Sequence, residues 1–393
     1  MLNFEFSAPT KLVFGRDTHK QIGERLKPLA KKVLLHYGGQ SIKKSGLYDQ
    51  VTASLKASGV PFVELGGVVP NPRVSLVREG VALCRKENVD LILAVGGGSV
   101  IDSAKGIALG YHYNGDVWDF YTNKAVPTKA IPVATILTLP AAGSEVSDSS
   151  VLSDDTNQQK LYCGAEFLSP VISVMNPELF MTLPKNQIAN GVADMMSHIF
   201  ERYFTNTLQT DVTDGLCETL LRTIMKNALA VIDDPKNYEA WCEVGLAGTL
   251  AHNNLVGLGR GQDWACHMME HELSAIYDIA HGAGLAILTP NWMKYVYKSN
   301  IGMFVQFAVK VMGVDGSFRE PEAIVLEGIT RLSEFFKKMG LPATLGDVGI
   351  DAKNIELMAK KATGVAYGRA ESPLGGLKSL GWRDVKEIMT ASL

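Results

Sequence analysis

Five side chains in three short segments have the types and spacing of a metal site. Asp194 and His198 stand four residues apart in GVADMMSHIFERYF, and His267 and His271 repeat that spacing in DWACHMMEHELSAIY, with His281 following in IAHGAGLA. On a helix, residues i and i+4 share a face, so each pair projects to one side. Four of the eight histidines fall here; His19, His36, His112 and His252 are scattered and read as core or surface residues. A carboxylate with three imidazoles suits Fe2+ or Zn2+, and the lack of thiolates in these segments leaves both open. The cysteines, Cys84, Cys163, Cys217, Cys242 and Cys266, form no C-x-x-C pair, which fits reduced thiols rather than a disulfide framework.

A second kind of chemistry is written earlier in the chain. The apolar run Leu91 to Val95 leads straight into Gly96-Gly97-Gly98-Ser99, and SVIDSAKGIAL then reads as a helix. Glycines between a strand and a helix let backbone N–H groups approach an anion, and the helix dipole adds to the attraction. The expectation is a pyrophosphate site, although the pattern is not G-x-G-x-x-G. Asp102, just inside the helix, either caps it or faces the cofactor. A second polar loop, Thr138 to Glu145, also follows a strand and is either a cover for the cofactor or an ordinary turn. After the early strand, Gly38-Gly39-Gln40-Ser41 carries no acid to pair with the ribose 2′-hydroxyl of NAD. With Lys43 and Lys44 close by, this leans towards NADP(H) over NAD(H).

These residues need a scaffold. Apolar runs at 12–14, 32–37, 61–65, 91–95, 131–137 and 170–175 read as strands, and Leu47 to Ser58 and Val74 to Glu87 carry helical periodicity. Alternation of this kind predicts a parallel sheet covered by helices. From Pro184 onward the periodicity is helical nearly throughout. Thr182-Leu183-Pro184 marks the boundary between an α/β domain over 1–183 and an all-helical domain over 184–393. Two domains also suit 393 residues. A net charge of −3 gives no basic excess for nucleic acid or an anionic membrane. Neither a secretory signal nor an apolar run of roughly 20 residues is visible, so a soluble, cytoplasmic protein is expected. Leu2 to Phe6 alternates apolar and polar residues and is expected to add to a partner's sheet edge in a homodimer, or to serve as an edge strand within the chain.

GGGSVIDSAKGIA, TLPAAGSEVS, ANGVADMMSHIFERY and the H-x3-H-x9-H run from His267 to His281 resemble the iron-containing (group III) alcohol dehydrogenase family over nearly the whole chain. GGQSIKKSG, LTLPAAGSE and QDWACHMMEHELSA are similar to its butanol dehydrogenase and broad aldehyde reductase branch. The resemblance implies a Rossmann-like N-terminal domain and a helical metal-binding domain. It implies Asp194, His198, His267 and His281 as metal ligands, and His271 as a nearby histidine that does not coordinate. Gly97, Gly98, Ser99 and Val100 would hold the pyrophosphate, with Gly38, Gly39, Asn71, Thr138, Ser147 and Lys160 also lining the cofactor site. Ala142 stands where some members have threonine. The implied reaction transfers a hydride between NAD(P)H and an alcohol or aldehyde, with the metal as Lewis acid and His271 as proton donor; Asp102 is carried as a second catalytic candidate. A phosphorylated-polyol or dehydroquinate-synthase-like enzyme would need clustered Lys and Arg, and only Arg202 and Arg260 are near. A non-catalytic nucleotide sensor would need no such ligand set.

Overall fold

The computed structural model describes residues 1–393. They form two compact units, Ser7–Thr182 and Leu183–Leu393 joined by Met1–Phe6. The first runs β1 (Lys11–Phe14), α1 (Ile22–Leu26), β2 (Val33–Tyr37), α2 (Ser41–Lys44), α3 (Leu47–Ala57), β3 (Phe62–Leu65), α4 (Val74–Glu87), β4 (Leu91–Gly96), α5 (Gly98–Gly110), α6 (Trp118–Tyr121), β5 (Val133–Leu137), β6 (Ser149–Asp154), β7 (Gln159–Gly164) and β8 (Ile172–Met175). All six expected strands form and build one parallel sheet in the order β1-β8-β5-β4-β2-β3.

Strand side chains alternate between faces. Val33, Leu35, Leu91, Leu93, Val95, Ala134, Ile136, Ile172 and Val174 pack with Ile22, Leu26, Leu47, Val51 and Leu55 of α1 and α3. The intervening residues, among them Leu34, His36, Ile92, Ala94, Thr135 and Ser173, are equally buried on the other side. Burial on both faces explains why these strands read as continuous apolar runs. The chain leaves β2 for β3 on one side and later returns to place β4 on the other, so the strand order reverses between β2 and β4. In open α/β sheets the crevice at such a reversal is where ligands bind. An antiparallel hairpin, β6 with β7, was not expected from the sequence.

The second unit is helical: α7 (Lys185–Tyr203), α8 (Asp211–Asp233), α9 (Tyr238–Ala251), α10 (Ala265–Tyr277), α11 (His281–Val296), α12 (Ile301–Lys310), α13 (Pro321–Lys338), α14 (Ile355–Ala362) and α15 (Trp382–Thr390). Its core includes Phe204 stacked on Phe304 at 4.3 Å and edge-on to Trp292 and Phe307. The first six residues correct the expected 1–183 domain, because they group with this unit rather than with the sheet. The Met1 ammonium donates to the Leu208 carbonyl and the Leu2 N–H to that of Gly259. Leu2 to Phe6 therefore makes no edge strand within the chain; its apolar alternation follows a surface path instead. No helix is long and apolar enough to cross a membrane.

His36, fully buried on β2, has a fixed role in the sheet. Its Nδ1 donates to the Leu65 carbonyl at 2.8 Å, leaving Nε2 to accept from the Ser103 hydroxyl of α5 at 2.9 Å. Burial lowers its pKa from 6.5 to about 4. The unfolded chain takes up this proton more readily, so the stability contributed above pH 6.5 is lost as pH falls towards 4, by on the order of 3 kcal/mol. Thermal unfolding of wild type is expected to steepen in that window, and His36→Gln is expected to remove that part of the slope. Parallel pH profiles for the two proteins would assign the acid sensitivity elsewhere.

Candidate metal centre and coenzyme cradle

Helix α7 carries Asp194, His198 and Glu201 at i, i+4 and i+7, one stripe of a single helix. Helix α10 carries His267, Glu270 and His271, and His281 opens α11. Glycines bring these helices together. A Cβ on Gly282 would lie 2.0 Å from the Asn190 carbonyl oxygen of α7, and one on Gly284 would lie 2.7 Å from the Glu270 side chain. Only glycine lets α11 approach closely enough to deliver His281.

The result is convergence on one oxygen. From Asp194 Oδ1, His198 Nδ1 is 3.6 Å away, His281 Nε2 3.7 Å and His267 Nε2 3.9 Å. The ligand atoms of Asp194, His267 and His281 all lie within 4.8 Å of one another. His198 falls outside that tight group of three, yet its ring stacks on His267 with centres 4.7 Å apart. Asp194 Oδ1, His198 Nδ1 and His267 Nε2 are buried with no hydrogen-bond partner. A folded chain rarely leaves such atoms unsatisfied, and this set of one oxygen and two nitrogens fits a divalent cation.

The far sides of the rings are held by carboxylates that the sequence reading did not single out. His267 Nδ1 donates to Glu201 Oε1 at 3.0 Å, and the same oxygen accepts the His267 backbone N–H. His281 Nδ1 donates to Glu270 Oε2, whose other oxygen accepts from Ser274. With its proton on Nδ1, each imidazole turns the Nε2 lone pair towards Asp194. Burial presses His267 down, but Asp194 and Glu201 together outweigh it and push the ring up to about 9. A cation binding at neutral pH must therefore displace a proton from Nε2 to reach that lone pair. His198 is driven well below 6.5, first by burial and then by its histidine neighbours. The available signal for Glu201 and Glu270 was spacing: each repeats the helical register of a ligand candidate.

Among the other candidates, His271 is buried with its ring 5.9 Å from that of His281. His252, read as an ordinary histidine, lies against the cluster, its ring 4.0 Å from His198 and its Nδ1 3.3 Å from Arg202. Nothing in local spacing marks it, since it leaves the end of a different helix. Arg202 donates to the His198 carbonyl and covers Trp264, while Arg260 is bound to Asp214 and three carbonyls.

In the α/β unit, Gly97 is the residue between β4 and α5. Side chains at Gly96, Gly97 and Gly98 would press on Val100, Leu139 and Ala142 at 2.4, 3.2 and 3.2 Å. A side chain at Gly96 would force Val100 to shift, and at Gly97 or Gly98 it would press on its neighbour by a few tenths of an ångström. The bare backbone thus fits closely, and the first-turn N–H groups of α5 are left to face an anion. Val100 is buried against this turn and also lies 3.7 Å from where a Gly38 Cβ would stand. Thr138 joins the turn through its N–H to the Gly96 carbonyl at 3.0 Å. Asn71, in the left-handed region at φ 53°, precedes Arg73, which bridges to Ser153 opposite Lys160. The hairpin therefore brings Asn71 and Lys160 into one neighbourhood. Asp102 does not cap α5, since Gly97 holds that position. Its carboxylate accepts from Ser144 Oγ and from the Val151 N–H at 3.0 Å. Ser147 hydrogen-bonds Lys105, and Gly39 has open space around it.

Comparison with known proteins agrees with both halves. Residues 9–177 match the family model for iron-containing alcohol dehydrogenase, and residues 188–392 match the C-terminal model of the same family. The chain is 45% identical to the probable NADH-dependent butanol dehydrogenase 1 of Bacillus subtilis over the full length of both proteins. It is 36% identical to the NADPH-dependent aldehyde reductase YqhD of Escherichia coli, covering 92% of this chain and 93% of that one. The crystal structure of NADH-dependent butanol dehydrogenase A from Thermotoga maritima superposes with a TM-score of 0.95 at 42% identity, covering 100% and 99% of the two chains. The chain belongs to the iron-containing alcohol dehydrogenase family, in its butanol dehydrogenase branch. It is an NAD(P)-dependent enzyme of the alcohol dehydrogenase and aldehyde reductase class.

Loss of a carboxylate behind a ligating histidine typically costs 10–100-fold in metal affinity. Glu201→Gln and Glu270→Gln are expected to weaken metal binding by about that factor, and His267→Ala and His281→Ala by more. Elemental analysis after dialysis against a graded chelator reads this directly; full occupancy in all four variants would remove the cluster as a metal site.

Proposed function

We propose that the enzyme reduces short- to medium-chain aldehydes and oxidises the matching alcohols, with NADPH favoured over NADH and Fe2+ or Zn2+ held by Asp194, His198, His267 and His281. The observation that carries the reading is the set of buried, partnerless atoms, Asp194 Oδ1, His198 Nδ1 and His267 Nε2. Each costs about 1–3 kcal/mol if left unsatisfied, and a cation would satisfy all three. When bound, the metal supplies Lewis acidity towards the substrate oxygen and the nicotinamide carries the hydride.

The chain's own residues do the rest. Glu201 and Glu270 hold the His267 and His281 rings in one tautomer and orientation. We assign His271, beside His281, to hold a proton on its ring and pass it to the product oxygen. Asp102 acts by position, tying Ser144 and Val151 to α5. The N–H groups at Gly98 and Ser99 would orient the pyrophosphate, with Asn71, Thr138, Ser147 and Lys160 around it. Open space at Gly39 and the absence of an acid from Gly38 to Ser41 support room for a 2′-phosphate. Lys43, with its Nζ about 5 Å from the rings of Tyr37 and Tyr48, adds positive charge to that end. The relatives carry both coenzymes in their names, NADH for the butanol dehydrogenases and NADPH for the aldehyde reductase. Arg202 and Arg260 are committed to carbonyls and Asp214, which disfavours a phosphorylated substrate.

Turnover of butanal is expected with both coenzymes and a higher kcat/KM with NADPH, lost on metal stripping and restored by Fe2+ or Zn2+. A kcat/KM equal or higher with NADH would overturn the coenzyme preference alone. His271→Gln is expected to keep its metal and its coenzyme affinity while kcat falls about 10²–10⁴-fold. Loss of metal from that variant would make His271 a ligand or its support.

We also propose a homodimer. Leu2, Phe4 and Phe6 are 54%, 51% and 43% exposed in an extended segment, a surface suited to a second copy of the chain. Light scattering at micromolar concentration is expected to give a dimer, and deletion of residues 1–6 a monomer; a monomeric wild type would end the proposal.

A further inference from the structure

One fully buried cation in the α/β unit takes no part in the scheme above. Lys105 lies on α5, two turns beyond Gly98, with no solvent exposure. We propose that Lys105 is a positioning residue that pins the Ser144–Ser149 loop against the glycine turn and thereby sets coenzyme affinity. This rests on the coenzyme reading of that turn.

The geometry is specific. Lys105 Nζ donates to the carbonyls of Ser144, Ser147 and Ser149 at 2.7, 2.8 and 2.8 Å. The hydroxyls of Ser144 and Ser147 lie farther off, both at 3.1 Å. An ammonium has three hydrogens, and three carbonyls at the shorter distance match them one for one. Every hydrogen-bond partner is a serine oxygen, and the carboxylates of Asp102, Asp148 and Glu145 add attraction to the buried charge from farther off. Burial lowers its pKa to about 8, which still leaves it protonated at neutral pH. Three carbonyl oxygens aimed at one point repel each other; a cation at that point is what permits the loop its shape.

The loop shaped in this way forms a wall of the coenzyme cradle. Its approach begins at Thr138, tied to Gly96, and passes Leu139 and Ala142, which lie against Gly97 and Gly98. Ser144 continues the link by donating to Asp102, one helical turn before Lys105. Helix α5 thus presents N–H groups to the pyrophosphate at its start and, two turns on, fixes the segment that lies across from them. A lysine that served only the fold would not need to gather its contacts from one six-residue stretch.

The test compares Lys105→Met and Lys105→Ala with wild type in the metal-loaded enzyme. Coenzyme dissociation constants come from NADPH and NADH fluorescence titration, alongside melting temperature, metal content and kcat at saturating coenzyme. Both variants are expected to fold and keep their metal, to bind coenzyme at least about tenfold more weakly, and to retain kcat within a fewfold. Ammonium chloride is expected to restore binding in Lys105→Ala, where a cavity admits the ion, and not in Lys105→Met, where the side chain fills it; choline chloride controls for ionic strength. Unchanged coenzyme affinity in both variants overturns the proposal, as does a fall in kcat at constant affinity. Failure of both variants to fold with or without ammonium also overturns it, since the lysine would then serve the domain rather than the loop. A wild type that binds neither coenzyme defeats the underlying reading instead.

Discussion

A single buried oxygen, Asp194 Oδ1, governs how the helical unit is put together. Imidazoles from α7, α10 and α11 approach it within 3.6–3.9 Å. For three helices to aim at one atom, their backbones must crowd, and Gly282 and Gly284 are where that crowding is allowed. The rings must also point inward, which Glu201 and Glu270 enforce from behind. Helix spacing, glycine placement and the outer carboxylates are therefore consequences of one requirement, that ligand atoms from three helices meet at one largely buried point.

The α/β unit solves a related problem with the opposite sign. There an ammonium is surrounded by carbonyl oxygens rather than a carboxylate by imidazoles. In both units a buried charge gathers groups that apolar packing alone could not orient. The difference lies in what the partners are: side chains on rigid helices in one case, main chain of an irregular loop in the other. A loop whose own backbone bonds are few, such as Val146 and Ser147 to Gly143, depends on such a clamp more than a helix does.

Much of this was legible in the residues. Six strands could be read because a parallel sheet buried on both faces demands unbroken apolar runs. The pairs Asp194 with His198 and His267 with His271 were legible because helical register converts a spacing of four into a shared face. His281 opens a separate helix, and the choice of four ligands came from the family resemblance. The β6–β7 hairpin was not, since its strands, SSVLSD and QKLYCG, mix polar and apolar residues without clean alternation. Of the two readings of Leu2 to Phe6, the edge strand within the chain does not form: the segment follows the surface of the helical unit, where Gly259 and Leu208 receive its first backbone groups. His252 was invisible because its proximity to His198 is purely tertiary. Asp102 was seen, but the helix starts at the glycines, which leaves Asp102 more than a turn inside α5 where it cannot cap it.

The placement of Met1–Phe6 bears on the order in which the chain acquires structure. These residues precede the sheet in the chain, yet the Leu208 and Gly259 carbonyls that receive them are made only after the entire sheet. Domains generally fold as units during synthesis, the earlier ones first. Ser7–Thr182 can thus complete its core while the six preceding residues still lack their docking surface. The helical unit closes after the sheet, and residues made before the sheet settle only with the unit made after it.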